Sequence, residues 1–269
     1  MSFVDHPVPR LTDLAAVRAR LETDRPWAAY ALGDLAPGFA EYSEWFSEGQ
    51  ALALLYRAFE TPVLFTLGDR HAIDRLLDEI QHEPKMVLSI RPEILPFVKA
   101  RWRVEHETAM WRMIVDPAGF RPALTEGVVR LGLADLAGLH RLYADGEAAG
   151  EVPDFFSPDL LAQGAFFGVY EGEELIASAG THVVAPAESA GAVGNVYTRR
   201  DRRGHGLASR VTSAVTAELL EMRLCTVALN VNQRNDAAIR VYHKLGYRRY
   251  CPFHEGVALN THPAGERAL

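Results

Sequence analysis

The arginines and glycines between Arg199 and Gly206, within the run N-V-Y-T-R-R-D-R-R-G-H-G-L-A from Asn195 to Ala208, are well suited to holding a charged ligand. Gly204 and Gly206 can take backbone angles closed to other residues, and they leave no Cβ between main chain and ligand. A helix opening just after them would point its first N–H groups outward with partial positive charge, which is the physical basis of phosphate binding. Arg199, Arg200, Arg202 and Arg203 crowd the same turn in a chain whose formal net charge is -7. Such a local cluster reads as a site for a compact polyanion rather than a general polyanion surface. Two common phosphate binders are excluded by spacing. Ser209 follows Ala208 rather than a lysine, so no G-x-x-x-x-G-K-[ST] is formed, and no third glycine completes a dinucleotide fingerprint. What remains is R-x-x-G-x-A, filled by Arg203, Gly206 and Ala208.

The elements that must position this turn are legible around it. Ala192 to Thr198 is strand-like, and Leu207, Val211, Val215, Leu219 and Met222 recur at helical spacing as one buried stripe. A strand over Cys225 to Val231, a helix over Asp236 to Leu245 and a closing strand around Arg248 to Phe253 follow. Upstream, a strand at Gly127 to Leu131 leads to a helix over Ala134 to Ala144. A turn-rich loop, Gly146 to Pro158, then reaches a short helix near Gln163, and strands follow at Phe166 to Tyr170 and Leu175 to Val184.

The first half is expected to hold a helix with Leu11, Leu14, Val17 and Leu21 on one face, a hairpin of Ala51 to Phe59 and Val63 to Leu67, and helices over His71 to Ile80 and Pro92 to Ala100. Strands are expected near Met86 to Ile90 and Val104 to Val115. The Pro/Thr/Glu/Gly stretch from Pro122 to Glu126 divides the chain into domains 1–122 and 123–269.

The block Leu229 to Tyr247, L-N-V-N-Q-R-N-D-A-A-I-R-V-Y-H-K-L-G-Y, carries a second pattern. Together the two blocks resemble the GNAT superfamily of acyl-CoA-dependent N-acyltransferases. Its cofactor strand ends in V-Y-T or similar, continues into R-G-x-G-x-A, and is followed by L-x-V-x-x-x-N-x-x-A-x-x-x-Y-x-x-x-G-[FY]. Leu229, Val231, Asn235, Ala238, Tyr242, Gly246 and Tyr247 fill the fixed positions of that second pattern. The resemblance covers about Glu126 to Phe253. It implies an α+β fold with a mixed, mostly antiparallel, splayed sheet flanked by helices. The first half echoes the same order without a glycine turn of its own, as a degenerate GNAT-like copy would.

The resemblance also implies roles. The co-substrate would be acetyl-CoA, its pyrophosphate on the backbone of Gly204, His205, Gly206, Leu207 and Ala208 with Arg203 as a charged donor. Its pantetheine arm would lie along Val196, Tyr197 and Thr198 as an added strand. Asn235 would bond the arm, and Lys244 would reach the adenosine phosphates; a helix N-cap is an equally physical role for Asn235, and a solvated surface position for Lys244. Tyr242 would protonate the leaving thiolate as general acid, against the alternative of a core aromatic. A strand N–H near Val196 would meet the oxyanion.

The general base is less legible. Many such enzymes carry a glutamate on the cofactor strand, whereas Ala192 to Thr198 offers only Asn195. Deprotonating a lysine-like amine at pH 7 costs about 4 to 5 kcal/mol and an α-amino group roughly 1. The acceptor is therefore expected to be a low-pKa amine, or to be deprotonated through water by the loop carboxylates Glu147, Glu151 and Asp154. A solvated acidic loop is the plainer reading of those three. His182 and His205 are weaker candidates as bases, and no G-x-S-x-G elbow supports a hydrolase.

Composition is that of an ordinary globular chain, 48% hydrophobic and 23% charged over 269 residues, enough for two cores. No segment has the apolar length to cross a bilayer and Met1 to Arg10 lacks the form of a secretion signal, so a cytoplasmic location is expected. The acidic balance argues against nucleic acid. Cys225 and Cys251 lack metal-ligand spacing and read as reduced core thiols, with no metal expected. The acceptor would be a small-molecule or peptide amine. A non-catalytic acyl-CoA sensor, and transfer of longer acyl groups, stay open as alternatives.

Overall fold

Apolar alternation and helical periodicity account for most elements of the computed structural model, which describes residues 10–151 and 156–261. The chain separates into two compact units, Met1–Trp111 with Cys251–Leu269, and Arg112–Tyr250. These bounds differ from a single cut after residue 122. The reason lies in the last strand, which alternates buried Cys251, Phe253, Gly256 and Ala258 well past the expected end at Phe253.

In the first unit α1 (Leu14–Leu21) and α2 (Ala29–Gly33) precede a hairpin of β1 (Ser43–Glu48) and β2 (Ala51–Tyr56). Then come β3 (Val63–Leu67), α3 (Arg70–Glu79), β4 (Lys85–Ile90), α4 (Leu95–Lys99) and β5 (Trp102–Val115), most of which lies in this unit. β1 and α2 have no counterpart among the sequence expectations. On α1 the expected face is only half right: Val17 and Leu21 are buried, but Leu14 is exposed.

β2 is buried throughout, and Leu64, Ile73, Leu76, Leu77, Leu88 and Ile90 share one core with Trp102. Each such leucine or isoleucine contributes on the order of 1.5–3 kcal/mol by leaving water. β3 pairs in parallel with β4 from Val63↔Val87 to Phe65↔Ser89.

The second unit holds β6 (Val128–Arg130), α5 (Leu136–Glu147), α6 (Pro158–Gln163), β7 (Phe167–Glu171), β8 (Glu174–Ala185) and β9 (Ala190–Thr198). They are followed by α7 (Leu207–Glu221), β10 (Thr226–Asn232), α8 (Asp236–Lys244) and the start of β11 (Arg248–Asn260). The strand order here is β10-β9-β8-β7-β6, antiparallel except for the β9–β10 pair. α5 packs against β8 and β9, and α7 against β7, β8 and β9. On α7 the stripe Leu207, Val211, Val215 and Leu219 is buried as its spacing requires; Met222, at the C-cap, is 39% exposed. Back in the first unit, the far part of β11 pairs antiparallel with β4 from His254↔Ile90 to Leu259↔Lys85.

Candidate functional site

Two strands of the second unit begin side by side and then part. β10 pairs with β9 from Thr226↔Ala190 to Leu229↔Val193, and the pairing ends there although β9 runs on to Thr198 and β10 to Asn232. Beyond this fork the strand that β9 pairs with, among the described residues, is β8, through Gly180↔Gly194, Ser178↔Tyr197 and Ala177↔Thr198. The register slips between these pairs, and Asn195 sits at the slip with φ +52°, an angle that a bulge tolerates in asparagine better than in most residues. A Tyr143 hydroxyl donates to the Asn195 carbonyl at 3.3 Å and accepts from Ser178 at 3.1 Å, which pins the bulge from the α5 side. Burial raises the Tyr143 phenol well above its ordinary range, so it remains a donor.

Past the fork, β9 carries buried polar atoms without partners. Asn195 is 3% exposed, and among the described residues neither its Oδ1 nor its Nδ2 has a hydrogen-bond partner; the Thr198 Oγ1 is buried and has none among them either. An unsatisfied buried amide or hydroxyl costs roughly 1–3 kcal/mol. Tyr197 differs from its neighbours. It is buried, sits in the core with Tyr143 and Leu139, and its hydroxyl donates to Asp145 Oδ2 at 2.9 Å. Burial, then the Asp145 carboxylate, raises its phenol pKa. The same Asp145 oxygen accepts from the Arg200 backbone N–H at 2.9 Å, tying the end of β9 and the start of the glycine turn to α5. So Val196 and Thr198 are half-buried while the Tyr197 side chain belongs to the core.

The glycine turn has the backbone its sequence demands. Gly204 and Gly206 have φ of +83° and +76°, and Gly206 is the N-cap of α7. Among the described residues no side chain caps this helix, so its first N–H groups, from Leu207 onward, are left open. Elsewhere caps are present: Asn235 Oδ1 accepts from Ala238 N–H at 3.0 Å at the start of α8, and Asp69 accepts from His71 and Ala72 at 3.0 Å each at the start of α3.

The arginine cluster is not the free positive patch its sequence suggests. Arg199 faces Asp201 at 2.7 Å and Glu174 at 2.5 Å, and Arg202 faces Glu171 at 2.6 Å and Asp201 at 2.8 Å. Arg203 holds Glu151 at 2.5 Å, donates to the Thr198 carbonyl at 3.3 Å and lies over the Tyr197 ring. Carboxylates from β7, β8 and the α5–α6 loop therefore answer three of the four arginines, Arg199, Arg202 and Arg203. His205 is exposed, with its Nδ1 at 3.0 Å from the Arg203 carbonyl.

The other sequence candidates distribute as follows. Tyr242 is 7% exposed on α8, its ring edge-on to Tyr247 at 6.0 Å. The buried side of α8 and its end is Ile239, Tyr242 and Leu245, while Val241 is half-buried, so Tyr242 belongs to the buried stripe of this helix. Gly246 has φ +94°, and a Cβ there would lie 2.0 Å from the Gly119 carbonyl oxygen, which explains why no larger residue fits. The Tyr247 hydroxyl pairs with Thr216 at 2.8 Å.

Lys244 is exposed at the end of α8, and Glu147 is exposed at the end of α5. Asp154 lies outside the described residues. Glu151 joins the glycine turn rather than standing free: the Arg203 hydrogen bond holds its carboxyl below the usual glutamate range, which makes it a weak base. Cys251 is buried, but Cys225 is exposed, contrary to the expectation of a core thiol. Among the described residues no cluster of His, Cys, Asp and Glu has the form of a metal site. No helix among them is long and apolar enough to cross a membrane. Sequence reasoning missed Asp145, Tyr143 and Ser178; each is an ordinary residue of a helix or strand until the bulge brings them together.

In the first unit the corresponding parallel pair, β3 and β4, ends in a different way. Trp27 Nε1 donates to the Thr66 carbonyl at 2.9 Å, and Arg91 stacks on the Trp27 ring at 4.9 Å while pairing with Asp24 at 2.6 Å. These side chains, with Leu67, Gly68 and Ile94, line a cavity of about 320 Å³. Past the last β3–β4 pair the Thr66 carbonyl is taken by Trp27, and Asp69 caps α3, so the helix start there is not open.

Residues 166–255 match the family described as FR47-like protein. No curated protein sequence matches the chain. Several solved structures share its fold. One, described as a GNAT-family acetyltransferase from Novosphingobium aromaticivorans, is 23% identical with TM-score 0.63, over 89% of this chain and 100% of that one. A GCN5-related N-acetyltransferase from Kribbella flavida is 17% identical with TM-score 0.59, over 85% and 95%. A tandem GNAT protein from the clavulanic acid biosynthesis pathway is 15% identical with TM-score 0.54, over 93% and 97%.

Proposed function

We propose that this chain, which has the GNAT fold, is an acyl-CoA-dependent N-acyltransferase that moves an acetyl group from acetyl-CoA to a primary amine by direct transfer in a ternary complex. The observation that carries the reading is the β9–β10 fork, with the buried, unpartnered Asn195 amide and Thr198 hydroxyl beyond it and the uncapped start of α7 after it. A strand edge with unmet polar groups leading into free helix N–H groups suits a ligand that is amide-like at one end and diphosphate at the other.

In this reading the backbone N–H groups from Gly204 to Ala208, His205 and Leu207 included, hold the diphosphate. Arg203 turns from Glu151 to assist them. The pantetheine arm runs along Val196 and Thr198, while Tyr197 anchors the strand through Asp145. Asn235 both caps α8 and offers its remaining amide group to the arm, and Lys244 meets the adenosine phosphates. The attacking amine adds to the thioester carbonyl, whose oxygen gathers charge beside the Val196 N–H. Collapse of the intermediate expels the thiolate, Tyr242 gives it a proton, and the proton shed by the amine nitrogen passes to solvent water, from which the Tyr242 phenolate is reprotonated.

β9 carries no carboxylate, and Glu151 is held by Arg203. The acceptor, a small-molecule or peptide amine, therefore binds substantially neutral, with the Asn195 amide as its hydrogen-bonding partner and Glu147 and Asp154 as outlying charges. The reading is of a chain that needs no metal, nucleic acid or membrane and works in the cytoplasm. The absence of a strand carboxylate also favours a second reading, an acyl-CoA sensor without turnover.

Thiol release from acetyl-CoA with a panel of amines separates the two. Turnover that falls by about 10²-fold or more in Tyr242→Phe supports the enzyme. Binding of acetyl-CoA with no turnover on any amine supports the sensor.

A further inference from the structure

The first unit contains a cavity that nothing in the transferase reading uses. It lies at the end of the parallel β3–β4 pair, past the last paired residues, Phe65↔Ser89, and all of its lining belongs to that unit. The carboxyl ends of parallel strands are where open α/β sheets take ligands. Its volume of about 320 Å³ is at the lower end of the range for small-molecule sites and has room for roughly ten non-hydrogen atoms, far fewer than coenzyme A carries.

The walls are fixed by packing. Trp27 is 1% exposed, its Nε1 donates to the Thr66 carbonyl at 2.9 Å, and its ring packs against Phe65 at 5.2 Å and Phe253 at 5.4 Å. Leu67, Ile73 and Ile94 are buried and give the cavity an apolar side. Thr66 also lines it, and the hydroxyl of this residue, 1% exposed, has no hydrogen-bond partner among the described residues. Buried hydroxyls are ordinarily partnered, so one left over on a cavity wall marks where a ligand's polar group belongs.

Charge selects the ligand. The Arg91 Nη2 donates to Asp24 Oδ2 at 2.6 Å and the guanidinium lies over the Trp27 ring at 4.9 Å, but its Nε and Nη1 have no hydrogen-bond partner among the described residues. Both side chains of this ion pair are partly open, and Glu93 is exposed at the rim. A simple anion would gain Arg91 and meet two carboxylates. A simple cation would gain the carboxylates and meet the guanidinium, whereas a zwitterion answers both signs at once.

We propose that this cavity binds a free α-amino acid with an aliphatic side chain. The ligand's carboxylate takes the open N–H groups of Arg91 and the Thr66 hydroxyl, its ammonium faces Asp24 and Glu93, and its side chain packs on Leu67, Ile73 and Ile94. The site does not rest on the transferase reading and stands if that reading fails.

The test titrates the full chain with L-leucine and follows the indole N–H resonance of Trp27. Two analogues of the same shape carry one charge each, 4-methylpentanoate and 3-methylbutan-1-amine. L-Leucine is expected to bind with a Kd of about 1–10 mM, which roughly ten atoms of ordinary ligand efficiency supply, and each analogue about tenfold more weakly or worse. Arg91→Gln is expected to weaken L-leucine about tenfold or more, and Thr66→Val about two- to tenfold. Thr66→Val should also raise the Tm of the ligand-free chain, because it removes a buried hydroxyl without a partner; a hydroxyl that served only the fold would lower it. If circular dichroism shows that Arg91→Gln does not fold, Thr66→Val and the two analogues decide. An unmoved Trp27 resonance at 100 mM L-leucine, an analogue that binds as tightly as L-leucine, or binding indifferent to both substitutions overturns the proposal.

Discussion

Replacing Glu151 by Gln should tighten coenzyme A binding, although Glu151 stands among the residues a sequence reading would assign to the acceptor. In the structure its carboxylate holds Arg203 at 2.5 Å, with side chains 41% and 45% exposed, so the diphosphate must compete with it for the guanidinium. An ion pair this exposed contributes about 0.2–1 kcal/mol, and releasing Arg203 from it strengthens coenzyme A binding by about 1.5- to 5-fold. Arg203→Gln removes a charge-assisted donor at a half-exposed site, so about tenfold weaker binding is expected, near the lower end of the range for such bonds. Because both effects pass through one guanidinium, Glu151→Gln should change nothing in the Arg203→Gln background. Calorimetric titration of coenzyme A into the four proteins at fixed ionic strength measures this. The gain from Glu151→Gln should shrink at about 1 M salt, where screening acts over about 3 Å. Weaker binding in Glu151→Gln, or the same gain with Arg203 absent, would refute the competition.

Further outcomes follow from individual contacts. Gly246→Ala combines a left-handed φ with a Cβ 2.0 Å from the Gly119 carbonyl oxygen, so it should destabilise the chain by about 2–5 kcal/mol in urea unfolding; a loss below about 1 kcal/mol would show that the close approach is not real. Asp34 binds its proton more tightly folded than unfolded. Its contribution is therefore fully present below about pH 4 and is lost as pH rises through about 8. Asp34→Asn should flatten the decline of stability across that window, and an unchanged slope would mean that the carboxyl is not buried. Trp27, Arg91 and Asp69 close the β3–β4 end in the first unit, so coenzyme A should saturate at one equivalent per chain; a second equivalent would refute that closure.

Much of the candidate site was legible because its residues are locally determined. Glycines at 204 and 206 announce a positive-φ turn, and the stripe Leu207, Val211, Val215 and Leu219 announces the helix behind it. Gly246 was legible as a motif position but not as a steric one, since its neighbour Gly119 is far away in sequence. The charge state of the arginine turn was not readable. Glu151, Glu171 and Glu174 lie in separate segments, and only the packing of β7 and β8 beside the turn brings them against Arg199, Arg202 and Arg203. The long β11 escaped for a related reason: its last half is defined by the partner β4, not by a strong apolar run of its own. Asn195 illustrates both sides. Its residue type suits a bulge, but that its amide would be buried without a partner depends on where β10 turns away.

The most direct test is equilibrium titration of the purified full chain with coenzyme A and with acetyl-CoA. The expected result is saturable binding of both, with Gly206→Val abolishing it, because a β-branched residue cannot hold the φ of +76° that starts α7. No affinity for either compound at millimolar concentration, in a chain shown to be folded, would contradict the central claim that the glycine turn and the β9 edge together grip an acyl-CoA.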